Sequence, residues 1–174
     1  MLKTSVALFV LLAPLAFAGA AQAAMGPHAG DCAEGSGKNG MLVKIVGLKS
    51  HEGFVRVQSY GGDPAGWFEK GAYLERVDVP PAAHTIEVCL PVPKPGLYAV
   101  SVRHSRGGAF SMNDGAGFSG NPNMSLMDAM FKRKPPAGEV QVKVSGVAHV
   151  SVTMNYVEGG QLRPIASSGV TETK

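Results

Sequence analysis

The feature that most constrains the fold of this chain is a two-residue repeat of apolar side chains, which recurs in short segments along most of its 174 residues. Glycine, proline and aspartate separate the segments, and no long stretch has the spacing of an amphipathic helix. An apolar residue at every second position is typical of a strand with one buried face. Seven segments carry, in chain order, Val43 and Ile45; Val55 and Val57; Tyr73, Val77 and Val79; His84, Ile86, Val88 and Leu90; Tyr98, Val100, Val102 and His104; Val140, Val142 and Val144; and Val150, Val152, Met154 and Tyr156. We therefore expect an all-β fold, a single seven-stranded antiparallel β-sandwich.

The N-terminal residues have the three parts of a secretory signal peptide in the right order. Lys3 supplies the positive charge, an apolar run covers 6–21, and small residues form the cleavage site Ala21-Gln22-Ala23. The alternative is a membrane anchor, but the run is shorter than the roughly 20 apolar residues of a spanning helix and is interrupted by a proline and a glycine. We expect residues 1–23 to be cleaved off after Ala23, which predicts a periplasmic or secreted protein without a membrane anchor.

The chain contains two cysteines, Cys32 and Cys89. They lack the close C-x-x-C spacing of a metal pair, and an oxidising compartment favours a disulfide between them, with a redox or metal role as the alternative. Cys89 has the opposite parity from Val88 in its strand, so its sulfur is expected to face away from the main core. The bond would then tie the segment around Cys32 over the outer face of a sheet.

These features divide the chain into four parts. After the signal peptide we expect an N-terminal segment, 24–40, tied by the disulfide, then one β-sandwich domain, 41–156, and a flexible C-terminal tail, 157–174. A mature chain of about 150 residues is long enough for one domain with its own core.

Charge and motifs limit the classes of function. The formal net charge is +3, it falls to +2 without Lys3, and the basic residues are scattered. Such a distribution gives no support for nucleic-acid binding. The chain has neither a G-x-S-x-G elbow nor an H-E-x-x-H helix, so we expect a non-catalytic protein. Serine, histidine and aspartate side chains that converge in space are the alternative.

The longest connection between predicted strands, 105–136, is where we expect a binding site, because loops of this length are commonly functional or disordered. The spacing of Ser125 and Asp128 resembles a capping box, which predicts a short helix through Phe131. A G-x-G-x-x-G match at 115–120 lacks the βαβ context of a nucleotide site and is interpreted as a turn-rich loop. A protein, peptide or glycan of the cell envelope is the expected partner. The candidate binding residues are His104, Asn113, Asp114, Phe118 and Asn121.

Three methionines, Met124, Met127 and Met130, fall at helical spacing on one side of the predicted helix. The simpler interpretation is that they pack the helix onto the sandwich, since methionine fills irregular gaps. The alternative adds His104 and Met112 and predicts a periplasmic site for cuprous copper, which prefers thioether and imidazole ligands. His104 has a structural alternative of its own, as a hydrogen-bonded residue at the rim of the sandwich.

A second long connection, 61–72, contains Asp63 and Pro64 followed by Trp67. Aspartate at an N-cap and proline at the first helical position predict one helical turn. Trp67 is expected to cover one end of the sandwich, with a ligand platform as the alternative.

Several segments together resemble a known family. They are Val46-Gly47-Leu48, Gly53-Phe54-Val55-Arg56-Val57, Val79-Pro80, the strand Pro95-Gly96-Leu97-Tyr98-Ala99-Val100-Ser101-Val102-Arg103-His104, and Gly117-Phe118-Ser119-Gly120-Asn121-Pro122. Across 41–156 the chain resembles the domain of unknown function 2141 family of exported bacterial proteins. The resemblance implies a transthyretin-like, or prealbumin-like, β-sandwich in the bacterial envelope and carries no activity with it. Members often follow the strand-end histidine with an acidic stretch, whereas here Arg106 stands near its start and disfavours a cation.

Overall fold

A computed structural model describes residues 23–107, 111 and 113–165 of the chain. Within this part there are ten strands: β1 (Gly40–Val46), β2 (Phe54–Tyr60), β3 (Glu75–Val79), β4 (Thr85–Pro91), β5 (Gly96–Ser105), β6 (Gly115–Phe118), β7 (Val142–Val144), β8 (Val147–Thr153), β9 (Asn155–Glu158) and β10 (Gln161–Pro164). The helices are α1 (Leu126–Met130), α2 (Ala137–Val140) and the 3₁₀ turns Ala29–Cys32 and Pro64–Gly66. The fold is all-β and sandwich-like, as the two-residue repeat predicts. The predicted signal peptide, except for Ala23, lies outside the described residues.

Both α-helices are short. None of the helices between residues 23 and 165, as far as these are described, has the length and apolar character needed to cross a membrane.

The smaller sheet has three strands in the order β4-β1-β8. β1 pairs antiparallel with β4 on one side and parallel with β8 on the other, from Gly40 opposite Val147 to Val46 opposite Thr153. The prediction of a wholly antiparallel sandwich is therefore wrong at this pair. Parallel strands need a long crossover connection. Between β1 and β8 the chain forms β4 and several strands of the larger sheet.

The larger sheet has the order β10-β9-β6-β5-β2-β3, and β7 pairs with the first residues of β5. The prediction of seven strands is wrong partly because the last predicted strand divides between the two sheets. β8 ends at Thr153 in the smaller sheet, and β9 begins at Asn155 in the larger one. Between them, the Met154 N–H donates to the Val46 carbonyl at 2.9 Å.

Residues 157–164, which the sequence places in the C-terminal tail, form strand and turn. β9 continues to Glu158 and forms an antiparallel hairpin with β10 through the turn Gly159-Gly160. Two glycines between alternating residues are a hairpin signal, because such turns need positive φ. The sheet therefore extends beyond the predicted end at 156.

β6 replaces part of the predicted turn-rich loop. A Cβ at Gly115 would lie 2.4 Å from the Tyr156 ring, and one at Gly117 would lie 2.7 Å from the Thr153 carbonyl oxygen. Only glycine lets β6 lie this close to the strands beneath it. The glycine motif therefore serves close packing.

The main core lies between the sheets and contains the inward side chains of the predicted strands, such as Val43, Val57 and Val102. Three residues predicted to face the core lie elsewhere. His84 is exposed, just before β4 begins at Thr85. Tyr73 is exposed, because pairing of β3 with β2 begins only at Glu75. Val140 is buried outside the main core, in α2, a turn that begins after Pro136.

The predicted disulfide joins Cys32 and Cys89, whose Cα atoms are 5.7 Å apart. Cys89 is opposite Leu42, and Leu42 is opposite His149, so the three lie on the outer face of the smaller sheet. The N-terminal cover, which we define as residues 24–38, lies over this face as the cysteine parity predicts. Its Met25 also pairs with the edge of β4.

Candidate functional site

A cavity of about 570 Å³ lies against the outer face of the larger sheet. Strands β2, β5, β6, β9 and β10 form its floor, and the chain between β6 and α2 forms its roof. The lining is mainly apolar. Cavities of this size and character are typical of small-molecule sites. We call the roof segment, 119–135, the large-sheet cover.

The floor is built from side chains that alternate with core residues. Val57 of β2 and Val102 of β5 are buried in the core, so their neighbours Gln58 and Ser101 face outward. Gln58 and Ser101 are directly opposite each other, and Ala116 of β6 continues the same surface. Small and uncharged residues here leave room above the sheet.

A second, smaller hydrophobic cluster closes one part of the cavity. Phe68 meets Tyr60 and Phe118 edge to face, with ring centroids 4.8 and 5.1 Å apart. All three rings line the cavity. Burial raises the pKa of Tyr60, although its hydrogen bond with Ser101 acts in the opposite direction. The buried members of the cluster are Tyr60, Trp67, Ala99 and Val140.

The connection 61–72 supplies Trp67 and Phe68 to this cluster. The predicted turn is present as Pro64–Gly66, with the Asp63 carboxylate accepting a hydrogen bond from the Ala65 N–H at 3.0 Å. Trp67 is buried against the outer face of the larger sheet and does not line the cavity. It is therefore a covering residue rather than a ligand platform, but it covers this face and not one end of the sandwich as predicted.

Side-chain hydrogen bonds hold the first residues of the large-sheet cover. The cover contains no cysteine, so no disulfide joins it to the sheet. The Ser119 hydroxyl accepts a bond from the Val100 N–H at 3.0 Å. The Asn121 amide accepts from the Thr153 N–H at 2.7 Å and donates to the Ser151 carbonyl at 3.1 Å. Asn121 therefore lines the cavity and also fixes the cover to β8.

The roof contains α1, which begins with the predicted capping box. The Ser125 hydroxyl accepts from the Asp128 N–H at 3.1 Å, and the Asp128 carboxylate accepts from the Ser125 N–H at 3.0 Å. Hydrogen bonds from Ser125 hold the pKa of Asp128 below its ordinary value. The helix ends at Met130 with Phe131 as its C-cap, so the prediction of a short helix through Phe131 is confirmed.

The charged part of the lining is mainly cationic. Asp114 is buried, and one of its oxygens lies 4.0 Å from Arg103 Nε. Its carboxylate also accepts from the Ser111 hydroxyl at 3.2 Å, which ties the end of the preceding loop to the site. Four cations and one carboxylate line the cavity: Arg103, Lys132, Arg133, Lys134 and Asp114.

Two of these cations have partners outside the cavity. Arg133 pairs with Asp128 at 3.3 Å, and Lys134 pairs with Glu69. Exposed ion pairs of this kind are weak and exchange readily with other anions. The charged lining can therefore attract a negative group.

His104 belongs to the core and not to the cavity. It is fully buried, with Nδ1 2.7 Å from the Tyr156 hydroxyl and Nε2 2.9 Å from the Glu52 carbonyl oxygen. A carbonyl only accepts, so Nε2 donates to Glu52, and Nδ1 shares its hydrogen bond with the Tyr156 hydroxyl. The Tyr156 oxygen accepts in turn from the Lys49 N–H at 3.0 Å, and burial raises the pKa of this tyrosine.

The copper interpretation does not fit this arrangement. Both nitrogens of His104 are occupied, and Met112 lies outside the described residues. Among the residues that the structure describes, no group of three or more histidine, cysteine, aspartate or glutamate side chains could hold a metal ion. The packing interpretation of the methionines is also wrong in part. Met124 and Met130 line the cavity, but Met127 and Met130 are 55% and 61% exposed.

The structure brings together three of the five candidate binding residues. Asp114, Phe118 and Asn121 line the cavity, whereas Asn113 is exposed outside it and His104 is buried in the core. The sequence interpretation missed the floor residues. Residues such as Gln58 and Ser101 alternate with core residues, which indicates from the sequence that they face outward. That they are neighbours is known only from the strand order.

A second cleft, of about 650 Å³, lies beside the disulfide on the smaller sheet. Most of its wall is the turn-rich chain between Cys32 and Lys38, and Leu42 and Val147 are its larger apolar side chains. A wall of small residues offers little apolar surface to a ligand. The cavity of the larger sheet is therefore the stronger candidate site.

Comparison with known proteins identifies a family. A family described as uncharacterized protein conserved in bacteria (DUF2141) matches residues 43–152. No curated protein and no solved structure matches the chain. The matched region begins in β1 and ends in β8, so it includes most of both sheets and much of the cavity. The chain therefore belongs to the DUF2141 family of proteins conserved in bacteria.

Proposed function

We propose that the protein is an exported, non-catalytic binding module of the bacterial envelope. Its ligand is an amphipathic molecule, an acyl chain with an anionic head group, held in the cavity of the larger sheet. The observation that carries this proposal is the cavity itself, with a volume of about 570 Å³ and a mainly apolar lining that includes four cations.

The apolar lining supports an acyl chain as the main part of the ligand. Phe118 and Leu162 belong to the floor, and Met124 and Leu126 belong to the roof. A chain between floor and roof would lose water on both sides, and burial of apolar surface contributes about 25 cal/mol per Å². Most of the surface that the lining offers to a ligand is apolar, which disfavours a glycan as the occupant.

The cationic residues support an anionic head group. Lys132 makes no ion pair with any described residue, so its ammonium is available to a carboxylate or phosphate. Hydrogen bonds between ionised partners are roughly twice as strong as neutral ones.

Two features support export. The N-terminal sequence has the order of a signal peptide, and the described structure contains a disulfide, which is typical of exported proteins. The family resemblance also supports a transthyretin-like arrangement of the two sheets as part of this proposal. Mass spectrometry of protein recovered from the envelope should give an N-terminus at Ala24, and retention of Met1 in that protein would contradict export by cleavage.

The ligand proposal is tested by calorimetric titration of the purified protein with dodecanoate. We expect saturable binding at one site. Ala116→Trp puts a large ring on the cavity floor and should weaken binding at least tenfold. His149→Trp puts the same ring on the outer face of the smaller sheet and should leave the affinity unchanged.

Dodecanol provides a matched ligand without the charge. We expect it to bind several-fold more weakly than dodecanoate, since it cannot form the charge-assisted bonds. Absence of dodecanoate binding, or equal binding by the wild type and Ala116→Trp, would contradict the proposal. If the purified protein does not bind dodecanoate but binds an envelope protein or peptide, the site would be assigned to that partner instead.

A further inference from the structure

The end of α1 exposes an unusual amount of apolar surface. Met127, Met130 and Phe131 are 55%, 61% and 62% exposed. They are followed immediately by three cations, 132–134. We call these six residues, Met127 and 130–134, the apolar-basic tip.

The tip presents its aromatic ring and its charge together. The Arg133 guanidinium lies 5.7 Å from the centroid of the Phe131 ring, so the two groups occupy the same side of the tip. Lys132 has a φ of 51°, a left-handed conformation that glycine adopts more easily.

The tip is continuous with the cavity. Met130 and the three cations line the cavity, whereas Met127 and Phe131 do not. A ligand entering or leaving beside these residues would pass the exposed side chains of the tip. The tip therefore lies where a surface that supplies an amphipathic ligand would make contact.

We propose that the apolar-basic tip is a peripheral contact surface for anionic phospholipid bilayers. The apolar side chains enter the interface, and the cations bind the lipid phosphates. Asp128 and Glu69 pair with two of the cations in the free protein, but these exposed pairs can exchange for lipid phosphates. The interaction is reversible, because three side chains bury far less apolar area than a membrane span.

The test is co-sedimentation of the purified protein with lipid vesicles. Its N-terminus is first determined by mass spectrometry, so that an uncleaved apolar leader is not mistaken for the tip. We expect binding to equal mixtures of phosphatidylcholine and phosphatidylglycerol, little binding to phosphatidylcholine alone, and weaker binding as salt is added.

Met127→Ser with Phe131→Ser removes exposed apolar area without changing the cavity lining. We expect at least about a tenfold loss of vesicle affinity. Leu97→Ser removes a comparably exposed leucine on β5 and should have no effect. Phe131→Trp adds an interfacial reporter while Trp67 stays buried, and its fluorescence should shift to the blue on anionic vesicles.

Equal vesicle binding by the wild type and the double variant, or no blue shift in Phe131→Trp, would overturn the proposal. Binding of a soluble protein by the tip in place of vesicles would also overturn it. The ligand proposal can fail separately. Ala116→Trp should lose dodecanoate but still bind vesicles, and the double variant should bind dodecanoate but lose vesicles.

Discussion

The outer faces of the two sheets are covered in different ways. The N-terminal cover lies over the smaller sheet and is joined to it by the bond between Cys32 and Cys89. The large-sheet cover lies over the larger sheet and is held by hydrogen bonds, from Ser119 to β5 of that sheet and from Asn121 to β8 of the smaller sheet. The covalent cover sits over a cleft of small residues, and the non-covalent cover encloses an apolar cavity.

This difference indicates which of the two covers can change conformation when a ligand binds. A disulfide restricts the chain whatever the surrounding contacts do, whereas hydrogen bonds and a five-residue helix open at low cost. We infer that the smaller sheet and its cover provide stability, and that the larger sheet and its cover provide binding.

The largest expected effect is removal of the disulfide. Cys32→Ala with Cys89→Ala should lower the free energy of unfolding by about 4 kcal/mol, since the bond closes a long loop of the unfolded chain. Dodecanoate affinity should stay within a factor of about two, because the cavity is on the other sheet. Urea unfolding measures the first effect, and a reductant should destabilise the wild type but not the variant. A large loss of dodecanoate affinity in the folded variant would break the division between the two covers.

The next prediction concerns whether buried His104 stabilises the core or contributes to dodecanoate binding. Tyr156→Phe leaves the Lys49 N–H and His104 Nδ1 without their common partner, so we expect a loss of about 2 kcal/mol in urea unfolding. Dodecanoate affinity should be unchanged. A variant of normal stability with weakened dodecanoate binding would place His104 in the functional site after all.

A smaller effect is expected from the cap of α1. Ser125→Ala removes the hydroxyl that accepts from the Asp128 N–H and should favour local opening of α1 by about 1 kcal/mol. Hydrogen exchange should accelerate at 126–131, with no change at 24–38. Ser36→Ala, a serine in the N-terminal cover, is the matched control. Acceleration spread over the whole chain would show that the large-sheet cover is not an independent unit.

The smallest effect is the dependence of α1 on pH. Because Ser125 lowers the pKa of Asp128 in the folded protein, the stabilisation is present above the ordinary carboxyl pKa and is lost as the pH falls toward the lowered value. Acid should therefore lower the protection factors of α1, which are the intrinsic exchange rates at each pH divided by the observed rates. Asp31 also has a lowered pKa, owing to Lys38, but the disulfide should keep the N-terminal cover protected. In Asp128→Asn the acid effect on α1 should disappear, and its persistence would assign it to another group.

The sequence predicted the features that depend on near neighbours. The two-residue repeat located most of the strands, and Ser125 with Asp128 located α1. Two cysteines can form only one intramolecular disulfide, so the bond between Cys32 and Cys89 could be predicted although the residues are distant in sequence. The other signals depend on residues a few positions apart.

The remaining features depend on contacts between distant segments. The parallel pairing of β1 with β8 and the position of Gln58 beside Ser101 follow from strand order, which the repeat does not encode. His104 was placed among the candidate binding residues for the same reason, whereas its alternative interpretation as a hydrogen-bonded residue agrees with the structure. Its parity correctly turned it inward, but its partners, Tyr156 and the Glu52 carbonyl, are each 52 residues away in the chain.

The most direct test of the account is hydrogen exchange of the purified protein with and without saturating dodecanoate. If the larger sheet and its adaptable cover form the binding site, dodecanoate should slow exchange at 119–135 and leave exchange at 24–38 unchanged. Unchanged exchange at 119–135, or protection confined to the disulfide-linked cover, would contradict it.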